Sequence, residues 1–318
     1  MCTAIRFSDT NGNLYLARNL DWNRRYGERV VLTPKGYKLS LAFEGETPTK
    51  FNVMGMAVAA NNYPLYFDCG NDAGLAIAGL NHPGYAAYTQ QQIQGKLNLA
   101  AYEFPLWVTA FHANVDEVAK ALQNANIVAK SFAAGQQVSH LHWIIGDAEK
   151  SIVVEQLEDG LRIYENPVDV LSNQPEFPWH LTNLRNYITV DNAFPHNATW
   201  RNADLQPFGA GAGGRGIPGD CYSTSRFVRA AFHNATYPEK EKEAESVSRA
   251  FHILSNVAMI DGASAMKDGS FERTLYTGCF SAASMSYYYT TYEDPAIVRV
   301  SMNELLERSD DCNSIIVE

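Results

Sequence analysis

The feature that most constrains this 318-residue chain is a set of short apolar runs with no polar face, of which Leu75-Ala-Ile-Ala-Gly-Leu80 is the clearest. A strand with one wet face alternates apolar and polar residues. A strand without that alternation has to be covered on both sides. Further strands are expected at 29–33, 53–60, 140–146, 152–157, 161–165 and 169–172, and later at 271–277, 286–292 and 297–301. Helical spacing occupies other stretches: 102–124, interrupted at Pro105, then 181–190, 225–234 and 243–259. In the last of these Val247, Ala250, Phe251 and Leu254 form one apolar stripe. Strands and helices grouped in blocks predict an α+β fold with sheets and helices in separate layers. Hydrophobic residues make up 46% of the chain, enough for a large core, and no Ser-, Pro- or charge-rich linker divides it. One domain over residues 1–318 is expected.

The chain start reads as a hairpin. Thr3, Ile5 and Phe7 alternate with Ala4 and Arg6, Asn11-Gly12 is a strong turn signal, and 14–18 is the return strand. A two-residue turn at Asn11-Gly12 places Cys2 opposite Asp21. A longer turn makes the partner Leu20 or Asn19 and brings Arg18 near. Either register brings Arg18-Asn19-Leu20-Asp21-Trp22 to the chain start. If Met1 is removed, Cys2 becomes the first residue, and its α-amine, with a reference pKa of about 7.7–8.0, can take the proton of its own thiol, at about 8.5. Nearby, a carboxylate can hold the ammonium form and an arginine can favour the thiolate.

Met1-Cys2-Thr3 followed by Arg18-Asn19-Leu20-Asp21-Trp22 resembles the choloylglycine hydrolase family, which contains bile salt hydrolases and penicillin V acylases. The likeness continues through Tyr66-Phe67-Asp68, Gly74–Asn81, Glu103-Phe104-Pro105-Leu106-Trp107, Ser172-Asn173-Gln174-Pro175, Gly216–Asp220, Ser225-Arg226-Phe227 and Asp294-Pro295-Ala296-Ile297, nearly the whole chain. The resemblance implies the four-layer αββα sandwich of N-terminal-nucleophile hydrolases and cleavage of conjugated bile salts without a metal or cofactor. It implies roles as well: Cys2 as nucleophile and, through its α-amine, base; Arg18 supporting the thiolate; Asp21 orienting the amine; Asn173 and the Asn81 backbone N–H receiving the oxyanion; Arg226 holding the network together. Asn81 and Asn173 each follow an apolar run and open an Asn-x-Pro step, which sets a rigid donor at a strand end. Leu20, Tyr63 and Phe132 are candidate steroid contacts. Within the family the rivals are penicillin V acylase and acyl-homoserine-lactone acylase; an aromatic residue is usual at position 81 in the penicillin branch, so Asn81 favours bile salts. Residues 187–221 resemble an assembly insertion, which implies a homotetramer.

Composition removes other classes. A net charge of −10 does not suit nucleic-acid binding. No run reaches the roughly 18 apolar residues of a membrane span. Five widely spaced cysteines without CxxC argue against a disulfide framework or a zinc site and fit a cytoplasmic protein. His140 and His142 share a strand face, but the sequence offers no third ligand. Gly209-x-Gly211-x-x-Gly214 follows no clear strand, so it is not read as a dinucleotide loop.

Overall fold

The computed structural model describes residues 1–308 and 311–318. Two antiparallel sheets lie face to face. One has six strands, in the order Val170–Leu171, Cys2–Ser8, Leu14–Trp22, Arg273–Ser281, Ser286–Thr291, Val298–Ser301. The other has eight, in the order Gly160–Glu165, Ser151–Leu157, Leu141–Gly146, Ala76–Asn81, Tyr63–Asn71, Val53–Ala60, Arg29–Thr33, Ile316–Val317.

Strand alternation explains why runs without a polar face are needed. Ala76, Ala78 and Leu80 face the inner core between the sheets, with Ile144 and Val153 beside them. Ile77, Trp143, Ile145 and Val154 face the other way, into a second core with the helices Phe104–Phe111 and Val115–Leu122. On the far side, Ser223–Thr236 and Glu243–Ser255 pack on the six-stranded sheet through Phe227, Ala230, Ala250 and Leu254. The layers are therefore helix, sheet, sheet, helix, the αββα sandwich of N-terminal-nucleophile hydrolases. Each fully buried Leu, Ile or Phe in these cores contributes about 1.5–3 kcal/mol.

Several expected boundaries move for local reasons. The 102–124 pattern is two helices, because Asn114 caps the second one by accepting the Glu117 N–H. Pro105 opens the first helix instead of interrupting it, since an early helical position needs no N–H donor. The helix expected at 181–190 starts earlier, at Phe177 with Pro178 in its first turn, and passes into a 3-10 turn at Leu184–Tyr187. The strand expected at 169–172 shortens to Val170–Leu171, and 271–277 shifts to Arg273–Ser281. Tyr63–Asn71 is a strand that the sequence reading missed.

Candidate active site

The hairpin register decides what meets the thiol. Asp9 folds back on its own loop, where its Oδ1 accepts from the N–H groups of Asn11 and Asn13, and Gly12 takes a φ of 79°. The connection is thus the longer one, and Cys2 pairs with Leu20, not Asp21, while Arg18 pairs with Ala4. Paired residues share a face and alternate along the strand, so this register puts Arg18 on the side of Cys2; a slip of one residue would turn it away. The Arg18 Nη2 donates to Cys2 Sγ at 2.7 Å, and both residues are buried.

Behind Arg18 stands Asp68, with its Oδ2 3.6 Å from the Arg18 Nη1. Asp68 also accepts from the Tyr276 hydroxyl at 2.6 Å and the Tyr287 hydroxyl at 2.5 Å. Tyr287 reaches it by passing Gly278, where a Cβ would sit 2.0 Å from the hydroxyl oxygen. Burial opposes the charge on Arg18, but Cys2, then Tyr276 and Asp68, hold the guanidinium above its usual range. Burial raises the Asp68 carboxyl, and Arg18 and the two hydroxyls pull it back.

Asn173 lies on the other side of Cys2. Its Oδ1 accepts the Cys2 N–H at 2.8 Å and the Arg226 Nη2 at 2.7 Å. Two donors on one oxygen fix which way the amide faces. The Nδ2 then donates to the Asn81 carbonyl at 2.7 Å, which leaves its second hydrogen for another acceptor. Asn81 ends its strand. His82 N–H donates across the sheet to His140, so the neighbouring Asn81 N–H and carbonyl face the opposite side, toward Asn173. Arg226, in the first turn of Ser223–Thr236, also donates to the Cys2 carbonyl, Thr3 Oγ1 and the Cys221 carbonyl. Burial holds its guanidinium below its usual range, against the pull of Asp21 and Cys2.

Met1 occupies the chain start. Its ammonium donates to the Asp21 carbonyl at 2.7 Å and to Glu272 Oε1 at 2.9 Å. Asp21 Oδ1 accepts from Thr274 Oγ1 at 2.6 Å, while Oδ2 is buried without a hydrogen-bond partner among the described residues. Burial raises the Asp21 carboxyl, and the chain-terminal ammonium and Arg226 oppose the rise.

Cys2, Arg18, Asp21, Asn81, Asn173 and Arg226 thus converge. Among the candidate steroid contacts, Leu20 pairs with Cys2 across the hairpin and packs in the same buried core. Tyr63 and Phe132 meet with ring centroids 5.4 Å apart and join Tyr102 in a three-ring cluster. Sequence reasoning missed the roles of Asp68, Tyr276, Tyr287, Glu272 and Thr274, although Asp68 lies in the motif Tyr66-Phe67-Asp68. It missed Tyr26 too, which packs on Phe67 and whose hydroxyl burial, then Cys2, pushes up to about 12. The histidine expectation needs correction: His140 leaves His142 and binds the Ala86 carbonyl, whereas His142 meets His82 and Glu155.

Fold and site define an N-terminal-nucleophile hydrolase acting on linear amides. The chain belongs to the linear amide C–N hydrolases of the choloylglycine hydrolase family, whose pattern it matches over residues 2–318. It is 50% identical over 303 residues to the bile salt hydrolase/transferase of Bifidobacterium longum subsp. longum, covering 95% of each chain. To the conjugated bile acid hydrolase of Lactobacillus gasseri it is 46% identical over 292 residues, covering 91% of this chain and 92% of that one. The crystal structure of variant R18L of the conjugated bile acid hydrolase from Clostridium perfringens superposes with a TM-score of 0.91 at 33% identity, over 100% of this chain and 96% of that one.

Proposed function

We propose that this chain hydrolyses the amide bond of bile acids conjugated to glycine or taurine, using Cys2 as nucleophile once Met1 has been removed. The contact that carries the reading is the 2.7 Å approach of the Arg18 guanidinium to Cys2 Sγ, in a chain half identical to a bile salt hydrolase/transferase. With Met1 attached, the Cys2 nitrogen is a peptide amide with no basic lone pair. Its removal frees an amine held beside Asn173 Oδ1, with the unpartnered Asp21 Oδ2 available to orient it.

The α-amine takes the thiol proton, and the sulfur attacks the acyl carbon while facing Arg18. The oxyanion is received by the spare Nδ2 hydrogen of Asn173 and the Asn81 N–H. The C–N bond breaks as the α-ammonium gives its proton to the leaving amine. Water, losing a proton to the same amine, opens the thioester and releases the bile acid and the thiol. These steps use no metal or cofactor. The test is glycocholate and taurocholate cleavage by protein whose intact mass shows Met1 gone; preference for penicillin V or an acyl-homoserine lactone over both conjugates overturns the substrate assignment.

Tyr63 and Phe132 belong to this proposal as aromatic contacts for the steroid, and Leu20 as an aliphatic one. The chain is read as one domain carrying an assembly insertion at 187–221, and as a homotetramer. Trp200 is 74% exposed and Phe208 fully so, with Ile188 and Phe194 also bare, which is more apolar surface than one short segment leaves in water without a partner. All five cysteines are free, which fits a cytoplasmic location. No described helix is long and apolar enough to cross a membrane. The net charge of −10 supports no nucleic-acid partner.

A further inference from the structure

Three imidazoles and a carboxylate lie buried behind the two asparagines, and the steps above use none of them. His82, His142, His180 and Glu155 are all essentially inaccessible. The strand Val170–Leu171 ends just before Ser172, so the next two carbonyls lack ladder partners from it. His142 Nε2 supplies the first, 2.8 Å from the Ser172 carbonyl, and His180 Nε2 the second, 2.9 Å from the Asn173 carbonyl. A carbonyl can only accept, so each Nε2 carries the hydrogen and the tautomers are set.

The other ring atoms close a circuit. His142 Nδ1 lies 2.6 Å from His82 Nδ1 and 2.9 Å from Glu155 Oε1. His82 is the residue after Asn81, so this contact ties the strand end of Asn81 to that of Asn173. Glu155 in turn accepts the Phe177 N–H at 3.1 Å, at the start of the helix that carries His180. The His180 ring lies nearly flat on Phe227, at 4.4 Å.

We propose that His142 and His180, braced by Glu155, are positioning residues for amide cleavage: by holding the successive carbonyls of Ser172 and Asn173 the two imidazoles fix the direction of the Asn173 side chain at Cys2. This rests on the reading of Cys2 as nucleophile. Burial pushes His142 down to about 3 and His180 to about 4, so both remain neutral donors of fixed tautomer at neutral pH. The ligand-type atoms of His82, His142 and Glu155 lie within 4.8 Å of one another, but the 2.6 Å nitrogen contact has the length of a hydrogen bond. Two nitrogens on one tetrahedral ion would stand about 3.3 Å apart.

The test compares His142→Leu, His142→Gln and His180→Phe with wild type. The readouts are melting temperature, kcat and KM on glycocholate, and the rate of Cys2 alkylation by iodoacetamide. His142→Leu and His180→Phe should lose about 10- to 100-fold in kcat with KM within about threefold. Alkylation should be unchanged. His142→Gln, whose amide can still donate to Ser172, should stay within about threefold of wild type, as expected for a retained donor. His180→Phe keeps the ring against Phe227 and serves if the leucine variant does not fold. Wild-type kcat in both donor-less variants, a lower melting temperature with unchanged kcat, or a stoichiometric metal ion in purified protein overturns the proposal. If wild type spares glycocholate, the substrate assignment fails instead. Crystal structures of the variants then decide: loss of the 2.7 Å Asn173–Arg226 contact supports the positioning role, and its retention overturns it.

Discussion

The surroundings of Cys2 and the segment 187–221 break the same rule in opposite directions. Around Cys2 the charged groups are inside: Arg18 and Arg226 have no exposed surface and Asp21 almost none. In 187–221 the apolar groups are outside, led by Trp200 and Phe208. Burying a charge costs several kcal/mol unless a partner offsets it, and exposing a large apolar side chain gives up about 1.5–3 kcal/mol. Each region forgoes folding free energy, and what it gains differs. The first gains a preorganised electrostatic site for one sulfur. The second, under the proposed assembly, gains a surface for another copy of the chain.

The comparison breaks most sharply at the nucleophile. Cys2→Ala should leave the fold intact and reduce turnover on the order of 10⁴-fold or more; substantial residual amide cleavage in a stopped assay would remove Cys2 from the chemistry. Arg18→Leu strands the buried Asp68, and urea unfolding should show a loss of about 3–5 kcal/mol, partly recovered by adding Asp68→Asn. An unchanged midpoint would mean that the pair is energetically idle. Asn173→Ala should cost about 2.7–4 kcal/mol of transition-state stabilisation, read as a 10²–10³-fold fall in kcat.

A smaller effect concerns pH. Burial, opposed by His82, raises the Glu155 carboxyl to about 7. The folded chain therefore keeps a proton that the unfolded chain has released above its ordinary value of 4.5. This contribution to stability is complete below that value and declines as pH rises through about 7. Glu155→Gln cannot titrate, so its melting temperature should fall less than that of wild type between those limits. Parallel curves would show that Glu155 is not the group responsible. The smallest expected effect on activity is at the exposed region: Trp200→Lys should lower the assembled mass in light scattering while turnover per chain stays within about twofold, as for surface changes away from a site. A wild type already monomeric would refute the association reading.

Legibility from sequence followed sequence separation. The strand 53–60 and the start of the helix at Glu243 were read correctly because periodicity is a property of neighbours. The hairpin was legible but its register was not, since Asp9 turning onto Asn11 and Asn13 lengthened the connection. That single residue of slip is what brings Arg18, and not Asp21, to the face of the thiol. Asp68 was seen only as part of a motif because its partners, Tyr276 and Tyr287, lie over two hundred residues away.

By itself the sequence determined the candidate nucleophile, the charged string opposite it, the two asparagines at strand ends, and the layered grouping of strands and helices. All of these are set by residue type and short-range pattern. Tertiary structure decided which oxygen of Asn173 meets the Cys2 amide, which anion stands behind Arg18, and which imidazoles hold the strand ends. Those contacts form only when one sheet closes on the other, because they join residues that no local spacing relates.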